Sequence, residues 1–214
     1  MKLLLKQSIL LFAVALLTAC GKEEYVYPDL ITEMSCLKTD EEGFGHQIIT
    51  DNGIVWNLNK GNCPDGLTPD SLYRVVSRFT PVEKSKAIAY SFWEVIAPIP
   101  KPESEYESVR MDPVDVQSIW RSGDYLNMVL QVMVKDQEHE LAFIDNGITS
   151  NYNGTQTLHL TLLHHRKDDV EGFMKKYYLS VPLWHYEGKL NKGDAIVFEL
   201  YTYKEGMTQR TFTY

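Results

Sequence analysis

Apolar and polar residues alternate along one run of this chain after another. Leu126, Met128, Leu130, Val132 and Val134 share one face of a single run. Leu158, Leu160 and Leu162 alternate with His159 and Thr161, and Phe173, Tyr177, Leu179, Val181 and Leu183 form a further face. A period of two puts every second side chain on the same side of a strand. Helical periodicity never persists beyond about two turns. The expected fold class is therefore all-β, and the aromatic content of 12% suits it.

Prolines divide the pattern. Pro98, Pro100 and Pro102 alternate within Ala97 to Glu103, and such a run cannot join a central strand. Residues 98–111 are read as a Pro-rich linker between a domain over 30–97 and a domain over 112–214. The first half offers five strands: Leu30 to Leu37, the hairpin Gln47–Thr50 and Ile54–Asn57 about Asn52-Gly53, then Leu72 to Thr80 and Lys86 to Val95. Five short strands suit a small barrel. On the fourth, Tyr73, Val75 and Phe79 are expected inside and Arg74 and Arg78 outside. The second half offers seven strands with regular turns, as an antiparallel β-sandwich requires. Asp145-Asn146-Gly147 is read as one of those turns.

The N-terminus reads as an export signal. Lys2 and Lys6 precede an apolar run from Ile9 to Leu17, which is too short to span a bilayer. Leu17-Thr18-Ala19-Cys20-Gly21 resembles the lipobox of bacterial lipoproteins, so residues 1–19 are expected to be cleaved and Cys20 to carry the lipid. Residues 20–29 would then be a tether holding the chain to a membrane. Lys22-Glu23-Glu24 is similar to the export motif that sends Bacteroidetes lipoproteins to the outer face of the outer membrane.

Two cysteines remain, Cys36 and Cys63. They are either a disulfide closing a loop of 27 residues (63 − 36) or two separate thiols. The bridge would contribute about 3.5 kcal/mol by chain entropy. Neither has a histidine at metal-ligand spacing, so no metal site is expected. The net charge of −8 becomes −10 without Lys2 and Lys6, and it is spread evenly. No basic face could neutralise phosphates, so nucleic acid is not an expected partner.

Two small β-domains on a lipid anchor resemble the NigD-like lipoproteins of Bacteroidetes. The run from Asp112-Pro113-Val114 through Ile119-Trp120-Arg121-Ser122-Gly123-Asp124-Tyr125 to Asn127 is similar to the start of that family's C-terminal domain. Tyr73 to Thr80 lies where its N-terminal domain has a similar strand. The resemblance implies an OB-like barrel followed by a β-sandwich. It also implies a link to bacteriocin immunity, suggested for the founding member. The family carries no established catalytic residues.

The residues themselves carry no catalytic signature. No nucleophile elbow, zinc-protease helix or phosphate loop is present, and no cofactor is expected. Glu138 and Glu140 share a strand face but are read as solvated. His164 and His165 are read as a strand end near solvent. Most aromatics are expected in the cores, with Trp93 and Trp184 the first candidates for an exposed platform. Asp70-Ser71-Leu72 resembles a Bacteroidetes O-glycosylation sequence, which makes Ser71 a candidate acceptor. The family resemblance implies a protein or peptide partner, while the aromatics and the expected outward location suggest a glycan instead.

Overall fold

The computed structural model describes residues 29–59 and 63–214. Cys20 and Lys22-Glu23-Glu24 lie outside the described residues. The first five strands are β1 (Ile31–Thr39), β2 (Gly45–Thr50), β3 (Val55–Leu58), β4 (Leu72–Glu83) and β5 (Lys86–Glu94). They close a barrel in the order β1-β2-β3-β5-β4. Closure joins β3 to β5 by a short parallel pairing at Asn57–Lys86 and Leu58–Ala87. Ile48, Phe79 and Ala87 fill the interior, with Trp56 tilted against Phe79.

Seven strands follow: β6 (Asp115–Ser122), β7 (Tyr125–Val134), β8 (Glu140–Ser150), β9 (Gln156–His165), β10 (Phe173–Pro182), β11 (Ala195–Thr202) and β12 (Gly206–Thr213). Sheet β10-β7-β6 faces sheet β12-β11-β9-β8. The alternating leucines, valines and Met128 point inward and meet Phe143 and Phe198, whose rings pack edge to face. Each such side chain contributes about 1.5–3 kcal/mol on burial. The all-β expectation therefore holds, as barrel plus sandwich. One pairing departs from the antiparallel rule: β11 runs parallel to β9. The chain crosses to the other sheet as β10 between them, and so returns in the same direction.

Two local expectations need correction, and one choice left open is decided. Asp145-Asn146-Gly147 is not a hairpin turn but a bulge inside β8, where the register to β9 shifts. Asp145 Oδ1 accepts the Gly147 N–H at 2.8 Å, and Gly147 takes φ +89°. The turn chemistry is satisfied within the strand, as bulges allow. Reversal comes later at Asn151–Thr155, with Gly154 at φ +83°. Second, Arg74 is not on a solvated face. Its strand is covered on both sides, because the sandwich sits on the outside of the barrel. Of the two alternatives for Cys36 and Cys63, the structure has separate free thiols. Cys36 is buried on β1, with Sγ 3.4 Å from Tyr125 Oη, whereas Cys63 Sγ donates to the Asn59 carbonyl in its own loop.

Residues 98–111 are strapped to the sandwich. Lys101 pairs with the edge of β8 through Phe143 and Asp145, and Met111 pairs with β9 beside His164. Lys101, between Pro100 and Pro102, keeps its N–H and donates it to the edge of β8.

Candidate functional site

Where β5 leaves the barrel, its backbone touches the sandwich at one point. Ile96 N–H donates to the Tyr178 carbonyl at 2.9 Å, and Ser180 N–H donates to Ile96 at 3.0 Å. On the near side of that rung the two strands diverge and leave a groove of about 330 Å³. Trp93, Glu94 and Ile96 form one wall, and Lys175 to Tyr178 of β10 form the other. Glu138 and His139, in the turn before β8, close its end. Trp93 is 42% exposed. Lys175 Nζ lies 4.8 Å from the centre of the Tyr177 ring, within cation–π range. The groove thus offers aromatic faces, charges of both signs and a strand edge. A second cleft of about 350 Å³, among Arg121, Asp124, Leu183, Lys192 and Tyr214, lies at the other end of β10.

A buried polar chain backs the groove. His139 Nε2 lies 3.2 Å from Asp169 Oδ2, and His139 Nδ1 lies 2.9 Å from His164 Nε2. His164 Nδ1 then meets the Asp112 carbonyl at 2.9 Å. A carboxylate and a carbonyl can only accept, so each outer ring nitrogen carries a hydrogen. The inner contact then closes only with a third hydrogen between the rings. Burial opposes the Asp169 carboxylate. The N–H groups of Lys135 and Asp136, with His139, outweigh it and hold this carboxyl well below the usual range. Burial pushes His164 down, with the charge on His139 adding to it. His164 is therefore no solvent-facing strand end; it is 2% exposed.

Beneath the barrel, a second polar cluster joins the domains. Arg74 makes a two-pronged bond to Asp51, at 2.6 and 2.9 Å. Its Nε donates to Ser180 Oγ and its Nη2 to Asn127 Oδ1, both on the sandwich. Tyr125 lays its ring 3.8 Å from the guanidinium carbon. Burial opposes the Arg74 charge, but Asp51 outweighs it and raises the pKa above its ordinary value. Gly123 closes the junction: a Cβ there would strike the Asp51 carbonyl. An apolar patch of Met34, Val76 and Val95 meets Trp120, Val129 and Tyr178 alongside.

The two tryptophans singled out by sequence are both exposed but lie apart. Trp93 is in the groove, while Trp184 sits in the turn after β10 beside His185. Ser71 lies at the start of β4, where its Oγ donates to the Pro69 carbonyl. Glu138 is exposed in the groove and Glu140 half-buried on β8. The Arg74 and His139 clusters were missed. Asp51 in its turn and Arg74 on an alternating strand carry no sequence signal that they pair. Among the described residues, no group of three or more His, Cys, Asp or Glu side chains could hold a metal ion. Nor is any helix among them long and apolar enough to cross a membrane.

Comparison with known proteins places this architecture. Residues 97–214 match the model of the NigD-like C-terminal beta sandwich domain. A NigD-like immunity protein from Bacteroides caccae is 29% identical, with a TM-score of 0.71, over 89% of this chain and 99% of that one. A candidate toxin-related protein from Parabacteroides distasonis shares the fold at 17% identity and TM-score 0.67, over 87% and 93% of the two chains. So does a candidate lipoprotein from Bacteroides fragilis, at 12% identity and TM-score 0.57, over 87% and 97%. A search of the curated proteins finds no match. A sandwich matched over its whole length, carrying its barrel as the solved relatives do, makes this chain a member of the NigD-like family.

Proposed function

We propose that the protein is a non-catalytic lipoprotein of the cell envelope. Cys20 anchors it to the outer membrane, facing outward, and it binds a protein or peptide in the groove between barrel and sandwich. The groove carries this reading: it joins exposed aromatic surface to an open strand edge, which are features of polypeptide recognition. The immunity role named for the Bacteroides caccae relative supports a toxin-like protein as the ligand. Several acyl chains on Cys20 would hold it firmly, since each buried methylene contributes about 0.8 kcal/mol.

The test is a challenge experiment. A strain lacking the gene is complemented with the wild-type chain or with Trp93→Ala, then exposed to spent medium from bacteriocin-producing Bacteroides. Loss of the gene should raise killing, and only the wild-type chain should restore survival. Equal survival of all three strains would sink the immunity reading. One observation favours a glycan ligand instead, namely Trp93 standing exposed beside Tyr177 and Tyr178. Binding on a glycan array that disappears in Trp93→Ala would decide for it.

A further inference from the structure

The groove's longer wall is a strand edge with unpaired backbone. Tyr178 and Ser180 face outward, since their polar groups bond to Ile96. N–H and C=O of one residue point to the same side of a strand, so Met174 and Lys176 also face outward. Among the described residues nothing pairs with their backbone. Ile96 makes the first rung of a neighbouring strand, and β5 then turns away before the next. The interrupted ladder opens into the groove.

The side chains along this edge repeat one pattern on both faces. Phe173, Lys175 and Tyr177 lie on one face, and Met174, Lys176 and Tyr178 on the other. Each face reads apolar, basic, aromatic. Neither lysine makes an ion pair among the described residues, in a chain whose net charge is −8. Lysines on an edge also guard against indiscriminate pairing. The same guard becomes a selectivity device for a strand that brings acids to those two positions. Glu94 on the facing wall and Glu138 at the groove's end disfavour further acids beyond them.

We propose that the Phe173–Tyr178 edge of β10 takes an extended peptide segment as an added strand, with two adjacent acidic residues opposite Lys175 and Lys176 and apolar residues on either side. This rests on the polypeptide reading of the groove and states how the ligand is held. Main-chain bonds to Met174 and Lys176 supply affinity, and the lysines supply choice.

The probe is the synthetic peptide Thr-Val-Thr-Asp-Glu-Val-Thr-Val, titrated into the full mature chain. Amide exchange at Met174 and Lys176 and the indole N–H shift of Trp93 are followed by NMR. The expected result is exchange slowed at least about tenfold at both amides, together with a Trp93 shift. Both signals should vanish when alternate peptide nitrogens are methylated or when the centre becomes Lys-Lys. Lys176→Pro removes one outward N–H and should abolish binding while leaving the bonds to β7 intact. A Trp93 shift without amide protection keeps the groove and overturns strand addition. Equal binding of the methylated peptide also overturns it, and needs no protein variant to interpret. Silence from every signal overturns strand addition by acidic segments, and survival in the challenge experiment then judges the groove separately.

Discussion

A buried arginine is tolerable only when every donor is met, and Arg74 is close to that limit. Asp51, Ser180 and Asn127 take its bonds and Tyr125 covers its face. Removing one partner of a buried ion pair costs about 3–5 kcal/mol, because the other charge stays behind unpaired. Arg74→Ala should lower stability by that amount in urea unfolding. The double variant Arg74→Leu with Asp51→Leu should lose less than the two single losses added. The histidine chain sets a dependence on pH. His164 is depressed when folded, so the unfolded chain binds more protons below its ordinary value of 6.5. Stability contributed by this residue is complete above that pH and is lost on acidification. Asp169 is depressed too, so its contribution is complete above about 4 and fades at lower pH. Urea midpoints at pH 7.5, 6 and 5 should fall in order, and His164→Asn should flatten the first step. None of this could be read from sequence, since Arg74 looks like any polar residue on an alternating strand. His139 and His164 become neighbours only through the β8–β9 pairing.

Most strands were legible because their side chains alternate between core and surface. Tyr125 to Val134 has its predicted bounds, and its five inward residues are all buried. Legibility failed where one cue had two structural outcomes. Asn-Gly in Asp145-Asn146-Gly147 makes a bulge, whereas Asn153-Gly154 makes the reversal, and only pairing across β9 distinguishes them. The bulge is held from outside the strand. Tyr186 Oη, in a side chain 1% exposed, donates to Asp145 Oδ2 at 3.0 Å. Asp145→Ala should cost about 1–3 kcal/mol by stranding that hydroxyl. Adding Tyr186→Phe should return part of the loss, and thermal melts of the two variants beside the native chain check it. The groove was half legible: Trp93 was singled out for exposure, but the edge of β10 was not. A strand's sequence does not reveal whether a neighbour covers its edge.

At the scale of the whole molecule, the barrel and sandwich share a junction of buried polar and apolar contacts, and the strap at 98–111 runs along the sandwich edge. The two domains should therefore melt as one unit. Calorimetry should give a single transition for the native chain. Gly123→Ala would push the Asp51 backbone away and should split or broaden that transition. A native chain that already melts in two separated steps would contradict this coupling. The run of Asp112 to Asn127 that carries the family resemblance contains Trp120, Gly123, Tyr125 and Asn127, all of which dock the barrel. The junction also imposes an order on assembly. Arg74 and Asp51 leave the ribosome early, while Asn127 and Ser180 follow 53 and 106 residues after Arg74. Until they arrive the ion pair is wet and weakly held, and the apolar patch around Met34 lies bare. A copy stalled or clipped before β10 keeps that sticky face, so it is distinguishable from a finished one by any protease or chaperone that reads exposed apolar surface. Completion of this protein is thus announced at the barrel, by the drying of a charge encoded in its first half.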